Sequence, residues 1–231
     1  MGESILIKRA IPEKALVAVI ASLSDLQHAI RLRRLPTFFE LRLDALHGET
    51  DLALDQVRRL RAPIIITART AAEGGVNRLS ASKRCDLLLS FIDEAAFLDV
   101  ELRSLAGLRP VFDAATGLRV GRILSVHDLQ RTPPREELEQ FACDARAERA
   151  DIFKIATRVN TRADASRLHE FFVANRKSIP LSAMCFGKDS RALRLRFARE
   201  GSALNYTYLR TPLAEGQWSL GDMRRALERK R

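Results

Sequence analysis

Eight short apolar segments recur along the chain at intervals of 20 to 30 residues, and this repeat constrains the fold more than any other feature of the sequence. Each segment is rich in Val, Ile and Phe, which favour a buried strand. The predicted strands are residues 15–20, 37–43, 63–69, 96–102, 121–127, 150–156, 180–186 and 203–209. Most of the intervening segments place apolar residues three and four apart, which is typical of amphipathic helices. The predicted helices are residues 24–34, 52–60, 83–94, 136–148, 163–175, 190–199 and 220–229.

Strands that alternate with helices predict a parallel sheet, because a crossover of this length carries the helix back over the sheet. Eight such units in 231 residues favour a closed (β/α)8 barrel, the TIM barrel, formed as a single domain over residues 1–231. A doubly wound open sheet is the alternative fold. The first strand–helix turn, ASLSDL at residues 21–26, lacks the GxGxxG pattern of a dinucleotide site.

The segment between the fourth and fifth predicted strands, residues 103–118, fits the repeat least well. Pro110 lies near its middle, and a proline removes a backbone hydrogen bond and clashes with the preceding helical turn. We therefore expect a distorted or late-starting helix here instead of an uninterrupted one.

The composition is that of a soluble globular protein, with 46% hydrophobic and 29% charged residues and no apolar run long enough to span a membrane. The N-terminal segment lacks an apolar signal region, so we expect a cytoplasmic protein. The net charge of +10 indicates either an anionic partner or a bias towards arginine, while the 6% aromatic content disfavours base stacking with nucleic acid. Three scattered cysteines and four scattered histidines predict neither a disulfide framework nor a metal site.

In a (β/α)8 barrel the active site lies at the C-terminal ends of the strands, and five consecutive predicted strands carry polar residues there. On the second strand, Glu40, Arg42 and Asp44 alternate with leucines, so the period of two directs all three to one side. Charges directed into a barrel must pair with one another or bind a charged or polar ligand. The corresponding residues of the next four strands and their loops are Arg69, Glu73, Asp99, Glu101, Ser125, His127, Asp128 and Lys154.

Lys154 is the most informative of these residues, because it is one of only seven lysines and lies within the apolar strand sequence DIFKIA. An amine that is desolvated among Ile and Phe, near other cations, is more readily held neutral. A neutral amine can attack a carbonyl group to form a Schiff base, which acidifies the adjacent carbon. His127 on the neighbouring strand is the natural base for that proton. The residues therefore predict Schiff-base chemistry on an anionic carbonyl substrate, which leaves class I aldolases and imine-forming dehydratases equally open.

Seven motifs occur in an order that is shared with one enzyme family. They are ELRLD (40–44), TARTAAEGG (67–75), DVEL (99–102), SVHDLQRTP (125–133), DIFKIA (151–156), SAM with SR (182–191) and EGQ (215–217). From about residue 18 to residue 223, the chain resembles the type I 3-dehydroquinate dehydratases of the shikimate pathway, which leads to chorismate and the aromatic amino acids. The resemblance implies a (β/α)8 barrel that acts as a homodimer, needs no metal or dissociable cofactor, and removes water from 3-dehydroquinate to give 3-dehydroshikimate.

The resemblance also implies roles for individual residues. Lys154 would form the imine with the C3 ketone of the substrate, and His127 would remove a C2 proton and return a proton to the leaving C1 hydroxyl. Glu73 would orient His127. Arg191 would pair with the substrate carboxylate. The other implied substrate contacts are Glu40, Arg42 and Arg69 at the ring hydroxyls, Gln217 in the closing loop, and Met184 beside the imine.

The chain departs from the family pattern at the closing loop, which reads LAEGQ at residues 213–217 where the family has SAPGQ. Leu213 occupies the position of a serine that contacts the substrate. The stretch from Met184 to Arg191 is also one residue shorter than the usual pattern, and the first strand lacks a matching serine. These changes affect substrate closure and leave the lysine–histidine pair intact, so we expect the activity to persist with weaker substrate binding.

Two alternative functions are open at this stage. A different Schiff-base enzyme, such as an aldolase acting on a sugar or keto acid, explains Lys154 equally well, whereas the EGG, VHD and EGQ motifs favour the dehydratase. A non-catalytic basic barrel that binds an anion or nucleic acid explains the net charge but not the intact catalytic residues. We expect a small anionic substrate as the partner, and no nucleic acid or membrane.

Overall fold

The computed structural model describes residues 11–187 and 189–229 of the chain. The strands in these ranges are β1 Ala15–Ile20, β2 Phe38–Arg42, β3 Ile64–Thr67, β4 Phe97–Glu101, β5 Gly121–Asp128, β6 Ile152–Arg158, β7 Leu181–Phe186, β8 Leu204–Tyr208 and β9 Trp218–Ser219. The helices are α1 Leu23–Ile30, α2 Thr50–Val57, α3 Ala81–Phe91, α4 Leu105–Gly117, α5 Arg135–Ala147, α6 Arg162–Asn175, α7 Ser190–Arg199 and α8 Leu220–Glu228. Short 3-10 turns occur at Ala71–Glu73, Ile92–Glu94 and Leu102–Ser104.

The strands form one parallel sheet in the order β7-β6-β5-β4-β3-β2-β1-β8-β9. The seam between β7 and β8 is bridged by hydrogen bonds from Ala203 N to Leu181 O (2.9 Å) and from Ser182 Oγ to Leu204 O (2.7 Å). The sheet therefore curls into the predicted (β/α)8 barrel and not into an open doubly wound sheet. All eight predicted strands are confirmed with ends within two residues of the predicted bounds, whereas the two-residue β9 was not predicted.

The segment around Pro110 forms one uninterrupted helix, α4, so the expected distortion is wrong. Pro110 has no N–H to donate to the Ala106 carbonyl, but both residues are exposed and water can satisfy that carbonyl. Burial of five side chains on the opposite face outweighs the cost of an interior proline, about 3 kcal/mol. These side chains are Leu105, Leu108, Val111, Phe112 and Ala115.

The seven predicted helices are confirmed, and all but one match the prediction to within three residues at each end. Helix α1 ends at Ile30 instead of residue 34, because Arg31, Arg33 and Arg34 are exposed and offer no apolar face to bury. Within residues 11–187 and 189–229, no helix has both the length and the apolar character needed to cross a membrane.

The barrel interior is filled in layers by side chains from alternate strands. The even-numbered strands first contribute an apolar layer of Phe38, Phe97, Ile152 and Leu204, in which the two phenyl rings meet edge to face with centroids 5.5 Å apart. Two residues further along the same strands lie four side chains that we call the polar layer: Glu40, Asp99, Lys154 and Tyr206. The apolar layer excludes water from below, which raises the cost of any unpaired charge in the polar layer.

Candidate active site

Lys154 lies at the centre of the polar layer, and its side chain is 4% exposed. Its ammonium group donates to Asp99 Oδ2 (2.8 Å) and to Glu40 Oε1 (3.1 Å). The Tyr206 ring covers a further side, with its centroid 3.8 Å from Nζ in a cation–π contact. Strands β2, β4, β6 and β8 therefore each supply one side chain to a single buried cluster around the amine.

The surroundings of Lys154 differ from those that the sequence suggests. The flanking residues Phe153 and Ile155 pack into the core between the sheet and the helices, because side chains alternate across a strand. The amine is buried as predicted, but two carboxylates contact it instead of the neighbouring Ile and Phe side chains.

Arg69 connects the polar layer to the rim of the barrel. Its buried guanidinium donates to Asp99 Oδ2 (2.9 Å), Glu101 Oε1 (3.1 Å) and Ser125 Oγ (2.8 Å). Ser125 Oγ in turn donates to Asp99 Oδ1 (2.6 Å). Burial opposes charge on both partners, yet the opposite charges prevail, so that the pKa of Arg69 is raised and the pKa of Asp99 is lowered. The arginine and the aspartate are therefore both ionised.

His127 and Glu73 form a hydrogen-bonded pair at the end of β5. Glu73 Oε2 accepts from the His127 backbone N–H (2.8 Å) and lies 2.9 Å from Nδ1. An ionised carboxylate can only accept, so Nδ1 carries the ring proton and Nε2 keeps its lone pair. Burial, then Arg69 and Lys154, lower the pKa of His127 well below 6.5. A neutral imidazole with a free Nε2 is suited to act as a general base.

Opposing effects act on the protonation state of Glu73. Burial raises the pKa of Glu73 to about 7, whereas Arg69 and Arg103 favour the ionised form. Arg103 Nε lies 3.0 Å from Glu73 Oε1, although the Arg103 side chain is 63% exposed. The carboxylate that orients His127 therefore titrates near neutral pH and depends on nearby cations.

Two glycines place Glu73 beneath His127. The 3-10 turn Ala71–Glu73 ends at Gly74, whose φ of +88° favours glycine. A Cβ on Gly75 would lie 2.2 Å from the Arg69 carbonyl oxygen, closer than packing allows. The EGG motif is thus required by the backbone path that delivers Glu73.

Asp44 and Arg42 hold the two ends of this turn. Asp44 is fully buried, and its carboxylate accepts from the backbone N–H groups of Arg69 and Val76, both at 3.0 Å. Arg42 binds the same carboxylate through Nε (2.9 Å) and Nη2 (2.8 Å) and approaches Gly74 O (3.4 Å). Arg42 is therefore engaged by Asp44, which fixes the turn on which Glu73 lies.

Arg191 lies in the first turn of α7, with its side chain about half exposed. Its guanidinium carbon is 3.9 Å from the centroid of the Trp218 ring, and its Nη2 is 3.7 Å from Asp222 Oδ2. Trp218 Nε1 also donates to the Arg191 carbonyl (2.8 Å). Trp218 therefore orients the arginine through both its ring and its N–H.

Gln217 closes the loop at residues 213–217, because its Oε1 accepts from Leu213 N (2.8 Å). Gly216 in this loop has a φ of +72°, and a Cβ there would lie 1.8 Å from Ser190 Oγ. The loop thus packs against the start of α7, beside Arg191. Leu213 itself is about half exposed.

The structure brings most of the predicted site residues together. Lys154, Glu40 and Arg69 belong to one network, and His127 and Glu73 pair at its edge. Met184 is buried on the interior side of β7, opposite Ala156 in β6. Arg191, at the start of α7, and Gln217, in the loop between β8 and β9, make no hydrogen bond to the network among the described residues.

Sequence reasoning did not find five residues that support the site. Tyr206 had a usable signal, since it occupies the position on β8 that Lys154 occupies on β6. Thr67, which donates to Glu40 Oε1 (3.0 Å), follows from the same alternation. The other three do not belong to the barrel strands β1–β8, so strand alternation cannot predict which way their side chains point. They are Arg84 on α3, which pairs with Glu101, Arg103, which pairs with Glu73, and Trp218, which stacks on Arg191.

Comparisons with known proteins agree with the motifs. The type I 3-dehydroquinase family profile matches residues 16–230. The chain is 30% identical over 202 residues to the 3-dehydroquinate dehydratase of Methanocella arvoryzae, covering 87% of this chain and 90% of that protein. It is 32% identical over 190 residues to that of Pyrococcus abyssi, covering 80% and 84%. The crystal structure of 3-dehydroquinate dehydratase from Geobacillus kaustophilus matches with a TM-score of 0.84 at 25% identity, covering 92% of this chain and 89% of that one. This chain therefore belongs to the type I 3-dehydroquinase family.

Proposed function

We propose that this chain converts 3-dehydroquinate to 3-dehydroshikimate and water, a step of the shikimate pathway, through a Schiff base on Lys154. The observation that carries the proposal is a buried amine between Glu40 and Asp99, with the neutral His127 on the adjacent strand. Family membership supplies the substrate, and the geometry supports the role of each residue.

In the first half of the reaction, Lys154 gives up a proton and attacks the C3 carbonyl of the substrate. The neutral Nε2 of His127 is available to accept that proton and to return it as the carbinolamine loses water. The product of this half is an iminium ion that draws electrons from C2. Glu40 and Asp99 stabilise the positive charge before and after the bond forms.

In the second half, His127 removes the C2 proton to give an enamine and then protonates the C1 hydroxyl as it leaves. Hydrolysis of the imine releases 3-dehydroshikimate and restores Lys154, so one water is lost overall. Glu73 keeps the ring of His127 in one tautomer throughout, because its Oε2 accepts from Nδ1.

Substrate binding is assigned to the rim. Arg191 presents a partly exposed guanidinium that suits a carboxylate, and Trp218 and the loop that Gln217 closes hold it there. Glu40, Arg42 and Arg69 offer polar groups to the ring hydroxyls. Met184 supplies apolar contact beside the imine.

The test is borohydride reduction in the presence of 3-dehydroquinate. Reduction should attach the substrate covalently to Lys154, which peptide mass mapping would locate, while untrapped enzyme should generate the enone absorbance of the product. No adduct and no enone would refute the proposal. Turnover of an aldol substrate in place of dehydroquinate would favour an aldolase instead.

The pH dependence of kcat/KM should show an acidic limb near pH 7. Glu73, whose pKa is raised to about 7, must be ionised to accept from Nδ1, whereas His127 is already neutral at that pH. Activity should therefore rise with pH through this range. Arg103→Gln removes a cation beside Glu73 and should move the limb upward by about half a pH unit, a small shift because the arginine is exposed.

Arg109→Gln is the matched control for this shift. Arg109 also forms a partly exposed ion pair, with Glu148, but it lies on α4 away from the site. Its replacement should leave the limb where it is. A limb that stays in place, or moves to lower pH, in Arg103→Gln would contradict the assignment of this titration to Glu73.

The fluorescence of Trp218 should report binding of a carboxylate to Arg191. Trp218 is the only tryptophan in the chain and stacks on the guanidinium. Quinate should change the emission in a saturable way, whereas its methyl ester, which lacks the anion, should not. The response should disappear in Arg191→Gln, and equal responses to acid and ester would show that the carboxylate is bound elsewhere.

Type I 3-dehydroquinate dehydratases, which the chain resembles, are single-domain barrels that usually form dimers. We infer that residues 1–231 form a single catalytic domain that acts as a cytoplasmic homodimer. Light scattering coupled to size-exclusion chromatography would establish the oligomeric state.

A further inference from the structure

The Tyr206 hydroxyl is a buried polar group without a hydrogen-bond partner among the described residues. The residue is 6% exposed and lies in the polar layer, with its ring over Lys154 Nζ. A buried hydroxyl that makes no hydrogen bond destabilises the folded protein, so its presence in a densely bonded network requires an explanation. The change that Lys154 undergoes during the proposed reaction provides that explanation, and the inference therefore rests on the proposed function.

Formation of the imine reduces the number of donors in the polar layer. The ammonium group of Lys154 has three N–H bonds, and two of them serve Glu40 Oε1 and Asp99 Oδ2. When Nζ forms a double bond to the substrate carbon and water leaves, the iminium nitrogen keeps a single N–H. One of the two buried carboxylates must therefore lose its hydrogen bond from Lys154.

Glu40 is the carboxylate that is left with fewer donors. Asp99 keeps Arg69 Nη2 on Oδ2 and Ser125 Oγ on Oδ1 whatever happens to the lysine. Glu40 keeps only the hydroxyl of Thr67, and both hydrogen bonds that the described residues make to Glu40 end on Oε1. Its Oε2 is thus available to accept a hydrogen bond from another group.

Tyr206 is placed to supply that donor. Its strand β8 and the strand β2 that carries Glu40 both flank β1, where Val17 pairs with Tyr206 and Val19 pairs with Glu40. Burial, then the charges of Glu40 and Asp99 and a side-chain interaction with Glu40, raise the pKa of Tyr206 well above 10, so the phenol keeps its proton at neutral pH. Its hydroxyl therefore lies close to Glu40, although it makes no hydrogen bond of ordinary geometry to the described residues. The hydroxyl hydrogen can rotate to meet a nearby acceptor.

We propose that Tyr206 is a positioning residue that donates to Glu40 when Lys154 is converted to the imine. The phenol replaces the hydrogen bond that the lysine withdraws, so that Glu40 has two donors, Thr67 and Tyr206, in the covalent intermediate. Tyr206 acts through Glu40 and Lys154 and does not touch the reacting carbon. In the free protein the Tyr206 hydroxyl has no partner among the described residues because it is the donor that Glu40 requires only once Lys154 has formed the imine.

Tyr206→Phe tests this role, because it keeps the ring over Lys154 and removes only the hydroxyl. The rate of borohydride trapping with 3-dehydroquinate should fall by about 10-fold to 100-fold, because the buried Glu40 carboxylate would have one hydrogen bond fewer in the intermediate. Thermal stability of the free variant should be unchanged or higher, since an unpaired buried group is gone. Affinity for quinate, which has no ketone and cannot form an imine, should be unchanged.

Tyr208→Phe is the matched control, since it removes a partly exposed phenol two residues further along the same strand. It should leave the trapping rate unaltered. Trapping of Tyr206→Phe at the wild-type rate would overturn the inference, because Thr67 and the substrate hydroxyl assigned to Glu40 would then be sufficient donors for this carboxylate in the intermediate. Lower stability together with weaker quinate binding would also overturn it, because Tyr206 would then be structural. If wild-type protein is not trapped at all, the proposed function itself fails.

Discussion

Lys154→Ala is expected to lose turnover of 3-dehydroquinate by about 10⁴-fold or more and to form no borohydride-stable adduct. The reason is that the covalent route disappears with the amine, and the remaining groups can only bind and polarise the substrate. Substrate depletion, enone absorbance and intact mass after reduction measure the effect. Residual adduct on another lysine would place the nucleophile elsewhere.

The alanine variant also removes the cation from between Glu40 and Asp99, so its stability must be measured alongside activity. Removing one partner of a buried ion pair typically costs about 3–5 kcal/mol, although Asp99 keeps Arg69 here. Lys154→Arg is the matched variant, because it keeps a positive charge next to the carboxylates and cannot form an imine. It should be inactive while retaining more stability than the alanine variant. Turnover near the wild-type rate in Lys154→Arg would exclude the Schiff-base mechanism.

His127→Ala is expected to reduce kcat by about 10² to 10⁴-fold, the usual contribution of a positioned acid–base group. Lys154 is intact in this variant, so imine formation should continue slowly and the covalent adduct should accumulate in place of product. The fraction of modified protein, measured by intact mass during turnover, should therefore rise as the rate falls. A general loss of substrate binding would lower both the turnover rate and the modified fraction, so a modified fraction that rises as the rate falls indicates that proton transfer is impaired.

His169→Ala is the corresponding control. His169 also bonds to a glutamate, with Nε2 2.6 Å from Glu200, but it lies on α6 outside the barrel. Its loss should leave both kcat and the adduct fraction unchanged. Wild-type turnover in His127→Ala would show that another group transfers the C2 proton.

Much of this architecture is predictable from the sequence because it depends on local periodicity. Buried parallel strands need continuous apolar runs, and helices that cover them need apolar residues three and four apart, so the eight strands are found within two residues. The adjacency of His127 and Lys154 follows from strand order alone, since consecutive strands pair in the barrel. Pro110 shows the limit of this reasoning, because the burial of α4 against the barrel outweighs the local preference of proline.

The amino-acid sequence by itself determined the barrel, the rim on which the polar residues gather and the identity of the lysine and histidine. It did so because alternation along a strand states which side chains share a face. Only the tertiary structure decided which charges meet: that Lys154 lies between Glu40 and Asp99, that Arg103 reaches Glu73, and that Trp218 stacks on Arg191. The physical reason is that these contacts join residues up to 114 positions apart, and closure of the barrel sets their distances. The unpaired hydroxyl of Tyr206 is likewise visible only once its neighbours are in place.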